Sequence, residues 1–127
     1  MRRTVILAVL VFGALISGLA LAQSDQAGSG IPAEVQAVFK SYCVRCHTGS
    51  APPKGLSLIP SKSAALLDAP SAENPELKIV DTKNPEASYM LKKIRRGDGI
   101  KGKPMPPSKA LPAEKLQVLE TWILGLK

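Results

Sequence analysis

Hydrophobic positions fall into four blocks along the chain. The first is an apolar run from Val5 to Leu21, with no charge between Thr4 and Ala22. The second has helical spacing. Val35, Val38, Phe39 and Tyr42 repeat on one face, behind Pro32, whose fixed φ suits a first helical turn. In the third, Ala87, Met90, Leu91 and Ile94 follow the i, i+3, i+4, i+7 pattern. Asn84 is predicted to cap that helix, with Pro85 at its first position and Glu86 against the positive end of its dipole. Gly97 is predicted to stop it behind the basic pair Arg95-Arg96. The fourth block starts near Pro112 and carries Leu116, Leu119, Trp122, Ile123 and Leu126 as its stripe.

The intervening stretches are loop-like. Thr48–Pro60 is rich in Gly, Pro and Ser, and Ala69–Pro75 reads the same way. Ser61–Leu67 is predicted as a short helix capped by Ser61, and Leu77–Val80 is too short to classify. Asp98–Pro112 contains Gly99, Gly102 and four prolines, too many breaks for regular structure. No alternating strand pattern and no internal repeat occurs. The expected fold class is a small all-α domain with long loops.

The first block changes the picture of the mature chain. Arg2 and Arg3, the apolar run and the small residues of Ala20-Leu21-Ala22 together read as a secretory signal peptide over residues 1–22, cleaved after Ala22. An uncleaved membrane anchor is the alternative, because the uncharged stretch reaches the lower end of a spanning length. Either way the rest of the chain is expected outside the cytoplasm, periplasmic or otherwise exported. Gln23–Gly30 is a polar Gly/Ser-rich lead-in, and residues 31–127 form the single domain.

The whole chain carries a net charge of +7. Removing the leader takes Arg2 and Arg3 and no acid, leaving +5. That balance suits an acidic partner or an anionic surface. It does not point to nucleic acid, since no such motif appears and the few aromatics do not interleave with the basic run. A mature chain of this size has a limited core, and Phe39, Tyr42, Tyr89 and Trp122 are its only aromatics. A large buried prosthetic group would supply the missing apolar volume.

The chain has two cysteines and one histidine, and they stand together as Cys43-Val44-Arg45-Cys46-His47. This C-x-x-C-H pattern reads as c-type haem attachment. Thiols at that spacing reach the two vinyl groups on one haem edge, and the histidine that follows comes to lie under the iron as proximal ligand. Competing readings are weaker. A Cys43–Cys46 disulfide suits an oxidising compartment. A thioredoxin-like pair wants a preceding strand, which is missing. Zinc wants a further histidine or cysteine.

On the iron's other face histidine is excluded, because His47 is the only one; lysine is possible but usually hydrated and charged, and methionine is the natural candidate. Met90 lies on a helical stripe, where methionine usually fills core. Met105 stands in Lys103-Pro104-Met105-Pro106-Pro107, a loop with no helical face to pack, where prolines restrict the backbone around the thioether. Met105 is therefore the expected distal ligand.

The mature chain resembles a class I c-type cytochrome over nearly its whole length. The resemblance is carried by Phe39 ahead of Cys43-x-x-Cys46-His47 at the end of a first helix, and by the Met105 loop ahead of a last helix with Trp122. Finer segments resemble the planctomycete-type haem-binding domains of bacteria. These are Lys54-Gly55-Leu56-Ser57-Leu58, then Asn84-Pro85-Glu86-Ala87-Ser88-Tyr89-Met90-Leu91, Met105-Pro106-Pro107 and Leu119-Glu120-Thr121-Trp122-Ile123. The resemblance implies a cytochrome c-like fold wrapped around one covalent haem c. It also implies crossed first and last helices that bring Phe39 near Trp122. Many class I members hold the proximal histidine with the proline carbonyl of a Gly-Pro-Leu stretch. Here the region reads Ala51-Pro52-Pro53-Lys54-Gly55-Leu56, and the carbonyl that takes this role is left open.

The expected function is single-electron transfer between exported redox partners, not catalysis, with Cys43, Cys46, His47 and Met105 as cofactor-binding residues and His47 and Met105 as iron ligands. A ligand pair of this kind leaves the iron no open position and raises its potential above that of bis-histidine ligation. Two alternatives are the haem subunit of a larger periplasmic oxidoreductase and an open-site haem protein with gas-sensing or weak peroxidase activity. Lys92, Lys93, Arg95, Arg96, Lys101 and Lys103 cluster before the Met105 loop. They are either a docking patch for an acidic partner or a solvated helix end complementing its dipole.

Overall fold

A computed structural model describes residues 30–126. The proposed signal peptide and nearly all of the lead-in lie outside the described residues. Three α-helices make up the regular structure: α1 (Ala33–Tyr42), α2 (Tyr89–Arg95) and α3 (Ala113–Leu124). Single 3₁₀ turns at Pro53–Gly55, Ser63–Leu66 and Pro85–Ala87 punctuate the loops between them. Among the described residues there is no strand, only isolated backbone pairings of Leu67 with Val80 and of Pro70 with Lys78. The domain is small and all-α, with long loops as expected.

α1 and α3 each begin behind an extended proline, Pro32 and Pro112, and carry a glutamate in the first turn, where it meets the positive end of the helix dipole. They pack against each other. Val35, Val38 and Phe39 of α1 and Leu119 and Ile123 of α3 are buried, and Leu91 and Ile94 of α2 close the same core. The loops contribute Leu58, Leu66 and Val80. The ring centroids of Phe39 and Trp122 are 6.0 Å apart at 83° between planes, an edge-to-face contact that joins the two helices. Ile31, just ahead of α1, is also buried. No helix among the described residues is long and apolar enough to cross a membrane.

Several local expectations are corrected. The third helix does not run from Asn84. Ser88 is extended (φ −55°, ψ 125°) and separates the turn Pro85–Ala87 from α2, which starts at Tyr89. The cause is tertiary. The buried Ser88 hydroxyl accepts the Asp81 N–H, and the first α2 donors, Tyr89 N–H and Met90 N–H, go to the carbonyls of Lys78 and Ile79. Asn84 makes no side-chain cap. Asp81 binds the Lys83 and Asn84 N–H groups instead.

The end of α2 also differs. The left-handed residue is Arg96 (φ 57°), not Gly97. Gly97 N–H reaches back to the Lys92 carbonyl and Arg96 N–H to that of Lys93, so the helix ends in a Schellman pair with an arginine at the left-handed position. Finally, Ser61 caps nothing. The turn begins at Ser63, whose hydroxyl bonds the Pro60 carbonyl. Tyr42, read as part of the α1 core face, is 38% exposed at the helix end.

Candidate functional site

A cavity of about 280 Å³ opens between the end of α1, the loop after it, α2 and the loop ahead of α3. In so small a domain this is a large apolar space, and its walls explain the shape of the fold. Phe39, Leu58, Ile79, Ile94 and Leu119 supply its apolar surface.

Cys43, Cys46, His47 and Met105, the four residues singled out from sequence, all line it. Met90 lines it too, while remaining nearly buried. Met90, expected to fill core, does so and faces the cavity as well.

The Cys-x-x-Cys-His segment winds into a tight turn straight off α1. Cys43 N–H and Val44 N–H both reach the Phe39 carbonyl, and Cys46 N–H and His47 N–H both reach that of Cys43. This winding gathers three side chains from five residues onto one wall. Both cysteines are free thiols, Cys43 half-buried and Cys46 exposed. Burial, with the neighbouring Cys46, pushes the Cys43 thiol up to about 11.

His47 is buried, and its Nδ1 lies 3.0 Å from the Leu56 carbonyl. A neutral imidazole donating there carries its lone pair on Nε2, the arrangement a metal-ligating histidine requires. The backbone closes the same link, because Leu58 N–H donates to the His47 carbonyl at 2.9 Å. Leu56, the last residue of the Ala51–Leu56 stretch, therefore supplies the accepting carbonyl that the sequence does not identify.

Met105 is held from α2. Its N–H donates to the Lys93 carbonyl at 3.0 Å, and the Met105–Pro106 peptide is cis. Arg96 Nη1 donates to the Pro106 carbonyl at 2.9 Å. The prolines expected to fix the thioether are joined by a polar anchor that sequence reasoning missed.

That anchor is Lys93. Although read as part of a basic surface patch, it is only 6% exposed and lines the cavity. Its ammonium forms an ion pair with Glu73 and donates to the carbonyls of Lys101 at 2.5 Å and Lys103 at 2.8 Å. The ammonium also stands 5.4 Å from the centroid of the Tyr89 ring, within cation–π range. Tyr89 ties the same groups together. Its hydroxyl donates to Glu73 at 3.2 Å and accepts Lys101 N–H at 2.8 Å. Burial pushes the Glu73 carboxyl up, but the hydrogen bond and charge of Lys93 outweigh it and hold it below its ordinary value.

Arg95 leaves the patch as well, paired with Glu120 at 2.6 Å and Glu86 at 3.4 Å. The free basic surface is accordingly smaller than the sequence implied. It consists of the exposed side chains of Lys101 and Lys103 and the half-buried Lys92, with Arg96 at its edge. The only signal for Lys93 in the sequence was its place one turn after Tyr89 and Met90, beside an apolar stripe.

Among the described residues no group of three or more His, Cys, Asp or Glu side chains is arranged to hold a metal ion by itself. The donor set here is one imidazole, two thiols and two thioethers around an apolar space, which suits a flat organic cofactor carrying its own metal. Comparisons with protein-family models, curated proteins and solved structures find no match for this chain.

Proposed function

We propose that this protein is an exported monohaem c-type cytochrome that carries single electrons between redox partners. One observation bears most of the weight. The chain's only histidine lines an apolar cavity with Nδ1 committed to the Leu56 carbonyl, two free thiols beside it and Met105 in the same wall.

On this reading Cys43 and Cys46 hold the haem covalently through its vinyl groups, and His47 and Met105 are the iron ligands. Bound haem supplies a one-electron iron couple whose potential methionine ligation raises. The protein's own residues do the rest. Leu56 fixes the ring and tautomer of His47 and raises its basicity. Phe39, Leu58, Ile79 and Leu119 exclude water from the cavity. Because His47 and Met105 would both hold the iron, the role on this reading is carriage of electrons rather than catalysis. The α1–α3 packing with Phe39 on Trp122 supports assignment to the cytochrome c-like fold. Lys101 and Lys103 would steer an acidic partner toward the Met105 side.

The test is an optical spectrum of the mature protein from cells equipped to attach haem. A low-spin c-type spectrum is expected, with a weak sulfur-to-iron band in the oxidised state. A colourless product, its thiols free or joined to each other, would overturn the reading.

A further inference from the structure

The loop carrying Met105 has no helix or strand of its own. Its backbone groups are nevertheless satisfied at close intervals, and nearly all the partners come from α2. Lys101 N–H goes to the Tyr89 hydroxyl, the Lys101 and Lys103 carbonyls to the Lys93 ammonium, Met105 N–H to the Lys93 carbonyl, and the Pro106 carbonyl to Arg96. Lys93 contacts the loop at three of these points, through both main chain and side chain.

The chemistry of the head group fits this task. An ammonium has three donors and no acceptor. Here three acceptors surround it: two loop carbonyls and the Glu73 carboxylate. Every proton is used and the charge is matched. Gly102 (φ 68°) makes the wrap possible by turning the chain between the two carbonyls.

From this geometry we infer that Lys93, charge-matched by Glu73, is the positioning residue that holds Met105 in the cavity wall, where its thioether would bind the haem iron. The inference rests on the haem reading above and extends it. Met105 has no covalent tether comparable to that of His47, which follows Cys46 directly, so its retention depends on how firmly its loop is docked. Without the ammonium two loop carbonyls lose their donor, and the loop is free to lift its thioether away from the iron.

The test uses the haem-loaded mature protein. The principal variant is the double substitution Lys93→Leu with Glu73→Gln, which keeps an apolar stem, adds no new iron ligand and leaves no unpaired buried charge. Lys92→Met is the control. The double variant is expected to keep covalent haem and helical circular dichroism, to lose the sulfur-to-iron band, and to bind carbon monoxide on mixing when reduced. Lys92→Met should match wild type.

A double variant with the wild-type band and no carbon monoxide binding overturns the inference while leaving the haem assignment standing. A wild-type protein that holds haem but lacks the band sinks the Met105 assignment, and this inference with it. If the double variant fails to accumulate, Glu73→Gln decides. Bleaching of its band at a temperature well below its helical melt supports the latch, and bleaching together with the helices overturns it. Amide exchange at Met105 gives a readout independent of the iron. It should quicken in the double variant and stay unchanged in Lys92→Met, and equal rates in all three proteins would count against the latch.

Discussion

Phe39 and Trp122 meet edge to face between α1 and α3, and Phe39 is at the same time part of the cavity wall. One residue thus joins the helix pair to the cofactor space. Phe39 is fully buried, so Phe39→Ala should cost about 3–5 kcal/mol. That is a large share of the roughly 5–15 kcal/mol available to a domain. Trp122 is only half-buried, and Trp122→Ala should cost less. A double-mutant cycle in urea should return a coupling of about 0.5–1.5 kcal/mol for the aromatic pair. Strict additivity would show that the ring contact contributes nothing beyond burial.

Met90 and Met105 share the cavity but not their anchoring. Met90 is set in α2 with its neighbours packed, whereas Met105 lies in the loop that Lys93 holds. Met105→Ala should lower the reduction potential and admit carbon monoxide to the reduced protein, at small cost in stability. Met90→Ala should keep the sulfur-to-iron band and lose about 2–5 kcal/mol of stability. Spectra and denaturation curves of the two variants decide, and the reverse assignment of effects would exchange the roles of the two residues.

What could be read from the residues in advance follows from the range of the interactions involved. α1 and α3 were legible because their periodicity, leading prolines and first-turn glutamates act within a few residues. The Cys43–His47 segment was legible for the same reason, its chemistry being contiguous. The late start of α2 was not, since it depends on carbonyls of Lys78 and Ile79 taking the first helical donors. The Leu56 partner of His47 is a backbone group, which no side-chain identity announces. Lys93 was misassigned because a lysine is buried only when acceptors converge on it. Glu73 and the carbonyls of Lys101 and Lys103 come from 20 residues before it to 10 residues after it.

The narrowed basic surface makes a sharper statement about docking. Lys101 and Lys103 expose their side chains while their carbonyls bind Lys93. Lys101→Gln and Lys103→Gln should therefore slow electron transfer to an acidic partner at low salt, and the difference from wild type should shrink as the Debye length falls toward 10 Å near 0.1 M and below. Arg95→Gln should have a smaller effect because Glu120 and Glu86 already neutralise it. Stopped-flow rates across a salt series test this, and a rate insensitive to ionic strength would remove the electrostatic component.

Asp68 gives the domain part of its acid sensitivity. A hydrogen bond from Lys78, then one from Thr82, holds its carboxyl at about 2 against an ordinary 3.8. Because the unfolded chain takes up the proton first as pH falls, the stability Asp68 contributes is complete above 3.8 and is lost on the way down to about 2. Asp68→Asn should be less stable than wild type at pH 6, and the two proteins should converge near pH 2. Urea midpoints measured across that range provide the check, and a gap that stays constant with pH would assign the effect to something other than this ionisation.

Gly102 tests the loop's wrap around Lys93 from the opposite side. Its φ of 68° is left-handed, and a Cβ built there would lie 3.0 Å from Glu73 Oε1. Glu73 has little room to withdraw, since Lys93 and Tyr89 both hold its carboxylate. Gly99, in the same loop, has a similar φ of 76° but nothing within 4 Å of an added Cβ. The backbone penalty for a side chain in this region is about 1–2 kcal/mol at either position, partly offset by the lower entropy of the unfolded alanine chain. The crowding against Glu73 is present only at Gly102. Gly102→Ala should therefore destabilise the domain more than Gly99→Ala, and it alone should speed amide exchange at Met105. If the two alanines cost the same and leave Met105 equally protected, the contact between the loop and the Glu73–Lys93 pair has no mechanical consequence for the thioether.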